Sequence, residues 1–130
     1  AVKDHLPEKD GIFAGLLVAE MVAATGRSLS ALREGLFKDY GEMVSGQRIV
    51  PLTPDRAKRL KALIASPPSK FGRRKVLAAE TIDGLKLDFE HDRWVVLRLS
   101  GTEPLIRCYA EAETLKDVEA LLKKGVEAVR

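Results

Sequence analysis

Apolar residues recur at helical spacing in the first forty residues and predict two helices. In residues 10–25 they cover more than one stripe, so we expect a largely buried helix that Asp10 caps and Gly26 ends. A second, shorter helix begins at Ser28 or Ser30, carries apolar residues on one face and also ends at a glycine. Two helices with a tight link and no strand are typical of the end of a larger α/β domain whose sheet is missing.

From residue 42 onward, short stretches that suit strands dominate the pattern. Residues 42–50 suit a strand, with a bulge expected at Gly46. Thr53, followed by a proline and an acid, predicts a helix start, and the Ser-Pro-Pro sequence at 66–68 predicts its end. A capping-box sequence at Thr114 opens a last helix. Between these two helices, further strands are predicted at residues 75–81, 85–89, 94–99 and 105–111.

The order of these elements predicts an α+β fold. Clustered strands flanked by two helices favour one antiparallel sheet of four to five strands with both helices on a single face. The two N-terminal helices, residues 1–41, are expected to come from a truncated α/β domain, and residues 42–130 are expected to form a separate domain.

Composition places the chain among soluble globular proteins. It has 130 residues, of which 45% are hydrophobic and 32% are charged. Its net charge of +3 is too small to create by itself the strong positive potential that attracts nucleic acids, but it is compatible with a local anion site. Cys108 is the only cysteine, which fits a reducing, cytoplasmic setting. No apolar run reaches about 18 residues, so no membrane-spanning helix is predicted. The first residues lack Met and an apolar signal segment, and we therefore expect a fragment.

The segment RLSGTEPLIR, residues 98–107, combines features that suit a phosphate. Alternation along the strands places Arg98 and Arg107 on the less buried face, at facing ends of a hairpin. Gly101 between them can take a positive φ and let backbone N–H groups converge on an anion, while Ser100 and Thr102 add hydroxyl donors. Guanidinium groups bind phosphate oxygens through two parallel charge-assisted hydrogen bonds.

Two other interpretations of the same residues remain open. The hairpin could be an ordinary turn whose arginines are solvated or pair with Glu103 and Glu111. The chain could also be a small α+β nucleic-acid-binding or interaction module without catalysis. Such a module would use the loop arginines together with Arg73, Arg74, Lys75 and Trp94, although aromatic residues make up only 5% of the chain.

RLSGTEPLIR resembles the C-terminal phosphate-binding loop of the α-D-phosphohexomutases, the family of phosphoglucomutase, phosphomannomutase and phosphoglucosamine mutase. ETIDGLK, residues 80–86, resembles the hairpin that precedes this loop in the same domain. HLPEKDG, residues 5–11, is similar to the segment that follows the family's sugar-binding loop. The resemblance covers nearly the whole chain, and the SGTEP loop with both arginines is its specific signal.

The resemblance implies a part of a four-domain isomerase. Residues 1–41 would be the last helices of an incomplete domain 3, and residues 42–130 would be the phosphate-binding domain 4, with a fold like the TATA-box-binding protein. The intact enzyme would interconvert hexose 1-phosphate and 6-phosphate through a phosphoserine enzyme and a bisphosphosugar intermediate. Its Mg²⁺ and its phosphoserine would belong to domains that this chain lacks, so the fragment alone is predicted to be inactive.

The resemblance also assigns roles to residues and partners. The phosphate that is not being transferred would be held by Arg98, Ser100, Gly101, Thr102 and Arg107. Lys9 is the catalytic candidate, for proton transfer or phosphate binding, with His5 and Lys3 nearby in sequence. The implied partners are a phosphosugar substrate and the remaining domains of the parent enzyme, with no nucleic acid and no membrane. Self-association through the exposed N-terminal helices is also expected.

Overall fold

The computed structural model describes residues 9–130, which fall into two compact units, one ending at Gly41 and one running from Glu42 to Arg130. The first unit contains helices α1 (Gly11–Thr25) and α2 (Leu29–Tyr40). The Asp10 carboxylate accepts a hydrogen bond from the Phe13 amide at 2.8 Å and caps α1, which ends at Gly26 with φ +63°. Local capping chemistry therefore sets the ends of α1 as the sequence predicts.

The expectation that α1 is largely buried is wrong for the described residues. Neither α1 nor α2 contains a buried residue, and Ile12 and Leu16 are 81% and 63% exposed. The physical reason is that a helix with apolar residues all round needs neighbours on several sides, and the described part of the first unit offers only one other helix. No single described helix is long and apolar enough to cross a membrane, whereas α1 and α2 together reach the required length and composition across an 88° bend.

The second unit is an antiparallel sheet with helices on one face, as the sequence predicts. Its five-stranded sheet has the order β1-β7-β6-β5-β4, and β2 and β3 form a separate two-stranded ribbon. The elements are β1 (Val44–Pro51), α3 (Pro54–Ala65), β2 (Lys70–Phe71), β3 (Arg74–Lys75), β4 (Ala78–Glu80), β5 (Leu85–Asp88), β6 (Trp94–Leu99), β7 (Leu105–Ala112) and α4 (Leu115–Ala128).

The single strand predicted over residues 75–81 is divided between these two sheets. Gly72, with φ +61°, reverses the chain so that β2 pairs with β3, and this short hairpin ends where the Val76 amide donates to the Ser69 carbonyl oxygen. The Leu77 amide then donates to the Asp88 carbonyl oxygen and starts the pairing of β4 with β5. The segment forms strands, as its β-propensity predicts, but its first part (β3) pairs with β2 and its second part (β4) pairs with β5.

The bulge expected at Gly46 is absent, because β1 pairs with β7 without interruption from Val44 to Pro51. Glycine is needed there for a different reason. A Cβ atom on Gly46 would lie 2.8 Å from Val118 Cγ1 and 3.1 Å from Leu122 Cδ1, so the missing side chain lets α4 approach the sheet closely.

The core lies between the sheet and the two helices of the second unit. Leu60 of α3 and Leu122 of α4 are buried with the inward-facing residues of β5, β6 and β7. These strand residues are Leu85, Leu87, Val95, Leu97, Ile106, Cys108 and Ala110. Strand alternation predicts Leu99 on the same core face, but it is 38% exposed because β6 ends at this residue. The opposite face of the sheet, which we call the outer face, carries the half-buried alternate residues.

Candidate phosphate-binding site

The hairpin of β6 and β7 places the two arginines of the predicted loop directly opposite each other. Arg98 and Arg107 are cross-strand partners, and both alternate with buried residues, so their side chains belong to the outer face. Directly opposed Cα atoms in antiparallel strands lie about 4.5–5.5 Å apart. Like charges on directly opposed residues are destabilising, and nearby anions offset this cost.

Each arginine has a carboxylate partner. Arg98 Nη1 lies 2.7 Å from Asp83 Oδ2, and Arg107 Nη2 lies 2.6 Å from Glu103 Oε2. Both ion pairs are substantially exposed, with side chains between 27% and 76% accessible, so each contributes on the order of 0–1 kcal/mol. A bound anion can therefore replace these carboxylates at low cost. In addition, Arg98 Nε is buried and has no hydrogen-bond partner among the described residues.

The partnership between Arg98 and Asp83 is a contact that the sequence pattern does not predict. It depends on the turn at Gly84, which has φ +107° and lies against β6. A Cβ atom on Gly84 would lie 2.4 Å from the Leu97 carbonyl oxygen and 2.8 Å from Arg98 Cβ. Only glycine fits this position, and its fit brings Asp83 beside Arg98. The Asp-Gly dipeptide signals the turn in the sequence, but nothing local identifies the arginine that the turn meets.

The loop between the arginines is closed by main-chain hydrogen bonds at its base. The Ser100 amide donates to the Leu105 carbonyl oxygen at 2.9 Å, and the Leu105 amide donates to the Glu103 carbonyl oxygen at 2.8 Å. The Leu52 amide, just after β1, donates to the Pro104 carbonyl oxygen at 2.9 Å and ties the loop to the neighbouring strand. These contacts hold the loop at both ends.

The positive φ expected at Gly101 is not found. Among the described glycines, φ is positive only at Gly26, Gly41, Gly72 and Gly84. The loop reverses direction over five residues with the closing contacts above, so it does not need a left-handed residue. A Cβ atom on Gly101 would meet no heavy atom within 4 Å, which leaves the main chain open to solvent at this point.

The tip of the loop offers hydrogen-bond donors that the described part of the protein does not use. The amides of Gly101, Thr102 and Glu103 donate no hydrogen bond to any residue from 9 to 130. The hydroxyl groups of Ser100 and Thr102 are likewise unpaired within that range. Exposed amides and hydroxyls beside two guanidinium groups form an arrangement that can bind the oxygens of an anion.

The other predicted residues lie elsewhere. Lys9 is exposed and immediately precedes Asp10, the cap of α1, in the first unit. His5 and Lys3 lie outside the described residues. Within residues 9–130, no group of three or more His, Cys, Asp or Glu side chains could hold a metal ion, so this part of the chain does not fit the magnesium that the resemblance implies for the parent enzyme.

The residues named for a nucleic-acid surface do not form one patch. Arg74 contacts Asp117 of α4 at 2.6 Å, on the side of the sheet that the helices cover. Trp94 belongs to the outer face, where it is the cross-strand partner of Asp88 and Glu111. The sheet therefore separates the basic hairpin from the tryptophan.

The comparisons with known proteins agree with this architecture. Residues 53–128 match the family model described as phosphoglucomutase/phosphomannomutase, C-terminal domain. Residues 1–40 match the model described as phosphoglucomutase/phosphomannomutase, alpha/beta/alpha domain III.

Several curated proteins are similar over most of the chain. It is 34% identical over 122 residues to a probable phosphoglucosamine mutase of Pyrococcus abyssi, and 30% identical over 121 residues to the phosphoglucosamine mutase of Methanocaldococcus jannaschii. Both alignments cover 93% of this chain and 25% of the relative, so the chain spans about a quarter of the length of these proteins. A crystal structure of a phosphoglucomutase/phosphomannomutase family protein from Burkholderia thailandensis matches with a TM-score of 0.51 at 22% identity. That match covers 73% of this chain and 19% of the other, and it concerns the fold alone.

Proposed function

The chain belongs to the phosphoglucomutase/phosphomannomutase family, and from that premise we propose that its second unit is the phosphate-binding part of a phosphohexomutase. The intact enzyme would interconvert hexose 1-phosphate and hexose 6-phosphate. The relatives are named for phosphoglucosamine as well as for phosphoglucose and phosphomannose. The proposal therefore names hexose phosphates as the substrate class and no single sugar.

The observation that carries this proposal is the cross-strand pair Arg98 and Arg107 beside a loop with unused donors. A phosphate dianion placed over the pair would meet both guanidinium groups, the hydroxyls of Ser100 and Thr102, and the amide of Gly101. It would replace the two exposed carboxylates that pair with the arginines. The net gain would come from exchanging monodentate contacts for bidentate ones.

The role of this unit in the reaction would be binding and orientation. The reaction would proceed through a phosphoserine enzyme and a bisphosphosugar intermediate, which would change its orientation in the active site between the two half-reactions. We call the two arginines and the loop residues Ser100, Gly101 and Thr102 the phosphate clamp. This clamp would accept the 1-phosphate or the 6-phosphate equally, because it contacts only the phosphoryl oxygens. Holding that phosphate would fix the distance from the other end of the sugar to the reacting group.

Apart from Lys9, the remaining machinery would lie outside the described residues. Phosphoryl transfer depends on positioning and on charge stabilisation, to which magnesium contributes when it is bound. The partners of this chain would be the phosphosugar and the other domains of the enzyme, in the cytoplasm. Lys9 would act in proton transfer or in phosphate binding. The purified 130-residue chain is expected to show no mutase turnover, and measurable turnover would contradict this division of roles.

The binding proposal is tested by titrating the chain with glucose 6-phosphate while following backbone amide shifts. The Gly101 and Thr102 amides are expected to shift, with affinity in the range of about 1 mM because a single anion clamp offers little further surface. Arg98→Gln and Arg107→Gln should each remove the shifts. Arg48→Gln is a matched control, since Arg48 is 50% exposed and ion-paired to Glu119 at 2.6 Å. Unchanged loop amides at high ligand concentration would refute the clamp.

Self-association through α1 and α2 is a separate part of the proposal. It rests on the exposed apolar residues of both helices, such as Leu16 at 63% and Leu36 at 58%. Sedimentation at rising protein concentration should show dimers or larger species. A monomer at every concentration would refute it.

A further inference from the structure

Cavities open on both sides of the sheet of the second unit. One, of about 390 Å³, lies on the outer face beside Arg98 and adjoins the phosphate clamp. Another, of about 780 Å³, lies on the opposite side, between the turn of the β2–β3 hairpin and α4. We call it the basic cavity, because four cations and a single carboxylate line it among the residues that the structure describes. The cations are Arg73, Arg74, Lys123 and Lys124, and the carboxylate is Glu127.

Two contacts hold the β2–β3 hairpin in place beside α4. The Phe71 side chain is buried, and its ring stacks on that of Phe89 with the centroids 6.2 Å apart. On the other strand of the hairpin, Arg74 Nη2 lies 2.6 Å from Asp117 Oδ1, in the first turn of α4. The two-residue turn between these anchors therefore has a fixed position at the edge of the cavity.

The donors around the basic cavity are weakly engaged within the protein. Arg73 and Lys123 are exposed and form no ion pair within residues 9–130. Lys124 Nζ lies 2.6 Å from Glu127 Oε2, but the two side chains are 52% and 37% exposed, so solvent weakens this pair. The amides of Gly72 and Arg73 donate no hydrogen bond within the same range. An anion could therefore recruit all of these donors at low cost.

The cations are spread too widely for one phosphate group to contact them all. Arg74 pairs with Asp117, whereas the Lys124 side chain lies against the turn, where a Cβ atom on Gly72 would be 3.6 Å from Lys124 Cδ. Residues 117 and 124 are seven positions apart on α4, which corresponds to about 10 Å along the helix axis. Two or more linked phosphates can contact guanidinium groups at one end and ammonium groups at the other.

We propose that the basic cavity binds a diphosphate or longer polyphosphate group, either free or as part of a nucleotide. Arg73 and the amides of the turn would hold one phosphate, and Lys123 and Lys124 would hold the next. The volume of the cavity is within the range of small-molecule sites. Because the phosphate clamp lies on the other side of the sheet, this ligand would not compete with the phosphosugar. The site is thus separate from the proposed function.

A nucleic-acid strand fits this surface less well than a short polyphosphate does. The cations continue past the hairpin to Lys75 and Arg93, which line a neighbouring cavity of about 330 Å³. However, Glu90 lines the same cavity, and Arg93 is ion-paired with Glu113. Carboxylates therefore interrupt the positive surface, whereas a polynucleotide needs cations along its successive phosphates.

The test titrates the 130-residue chain with inorganic pyrophosphate and with inorganic phosphate while following backbone amide shifts. Pyrophosphate should shift the amides of Gly72 and Arg73. It should bind there about tenfold more tightly than phosphate, because it adds at least one charge-assisted contact. The Gly101 amide reports the phosphate clamp separately, so the dissociation constants of the two sites are read independently.

Two variants of the cavity and one matched control complete the experiment. Arg73→Gln and Lys123→Gln each remove one exposed charge and should weaken pyrophosphate binding at Gly72 about five- to tenfold. Lys61→Gln removes the same charge from an exposed position on α3 that does not line the cavity, and should weaken binding by less than about twofold. None of these variants should change the response of Gly101 to phosphate.

Adenosine diphosphate identifies the source of the polyphosphate group. Tighter binding than pyrophosphate would indicate a nucleotide, with its base on the apolar part of the lining, and equal or weaker binding would indicate a free polyphosphate.

Three results would overturn the site. They are an unshifted Gly72 amide in pyrophosphate, phosphate binding as tight as that of pyrophosphate, and equal effects of Arg73→Gln and Lys61→Gln. A single-stranded oligonucleotide that binds at Gly72 more tightly than pyrophosphate would also refute it, in favour of a nucleic-acid surface.

Discussion

Replacing Gly125 with alanine should destabilise the second unit, because α4 packs on the sheet at this point without a side chain. A Cβ atom on Gly125 would lie 2.4 Å from Cys108 Sγ, with Leu97 Cδ2 at 3.5 Å and Val95 Cγ2 at 3.6 Å. All three neighbours are fully buried, so the sulfur cannot move aside freely. Overpacking of a core costs about 1–3 kcal/mol, and the higher helix propensity of alanine offsets up to about 1 kcal/mol. With the full offset, we therefore expect a net loss of up to about 2 kcal/mol.

A second substitution tests whether the sulfur atom is the cause. Cys108→Ala removes the atom that the new methyl group would meet, and alone it should cost about 1–2 kcal/mol through the space it leaves. In the double variant the methyl group added at position 125 fills that space, so the loss should be smaller than the sum of the single losses by about 1 kcal/mol or more. Cys108→Ser is the control, because its hydroxyl keeps an atom near the sulfur position and should rescue less.

The assay is urea unfolding followed by the fluorescence of Trp94, the only tryptophan of the chain, which lies on β6 in the same unit. The free energy of unfolding in water is compared among the native chain, both single variants and the double variant. A stable Gly125→Ala variant, or losses that simply add in the double variant, would refute the close contact between α4 and β7.

Three further predictions concern the loop and the loss of stability at low pH. Glu103→Gln should tighten phosphate binding about two- to fivefold, because it removes the exposed carboxylate that competes with phosphate for Arg107. Glu111→Gln is the control and should change phosphate binding less, because Glu111 has no arginine partner among the described residues. Weaker phosphate binding by Glu103→Gln would contradict this competition. Gly101→Ala should leave the melting temperature unchanged, since its φ is not positive and its Cβ meets nothing, and a fall of several degrees would show a constraint there. Hydrogen bonds from the Thr114 hydroxyl and from Arg74 lower the pKa of Asp117. The stabilising contribution of Asp117 is therefore complete above about pH 3.9 and is lost as pH falls through the lowered pKa. Asp117→Asn should make the melting temperature fall less steeply at acid pH, and an unchanged dependence on pH would contradict this prediction.

Much of the local structure could be predicted from residue pattern. The caps at Asp10, Thr53 and Thr114 all accept hydrogen bonds from the first turns of their helices, because capping involves residues only three apart. The alternation along β6 and β7 correctly placed Arg98 and Arg107 on the outer face, since side-chain direction in a strand has a period of two. The same local information left a phosphate loop and an ordinary turn as open interpretations of residues 98–107, and the resemblance to the phosphohexomutases favoured the phosphate loop.

Contacts between distant segments were not predictable in this way. The pairing of β1 with β7 and the meeting of Asp83 with Arg98 depend on segments that are separated along the chain. The glycines illustrate the difference. Gly46 and Gly125 are required by the close approach of α4, and Gly84 by the approach of a turn to β6, whereas a side chain on Gly101 would meet nothing.

The amino-acid sequence by itself determined the helices, the alternating faces of the strands and the composition of the loop, because hydrogen bonds and side-chain directions over a few residues set these features. Only the tertiary structure decided that Asp83 meets Arg98, which face of the sheet the helices of the second unit cover and where a cavity opens beside Arg98. Those features arise from packing between elements, and packing depends on the positions of residues that no local pattern brings together.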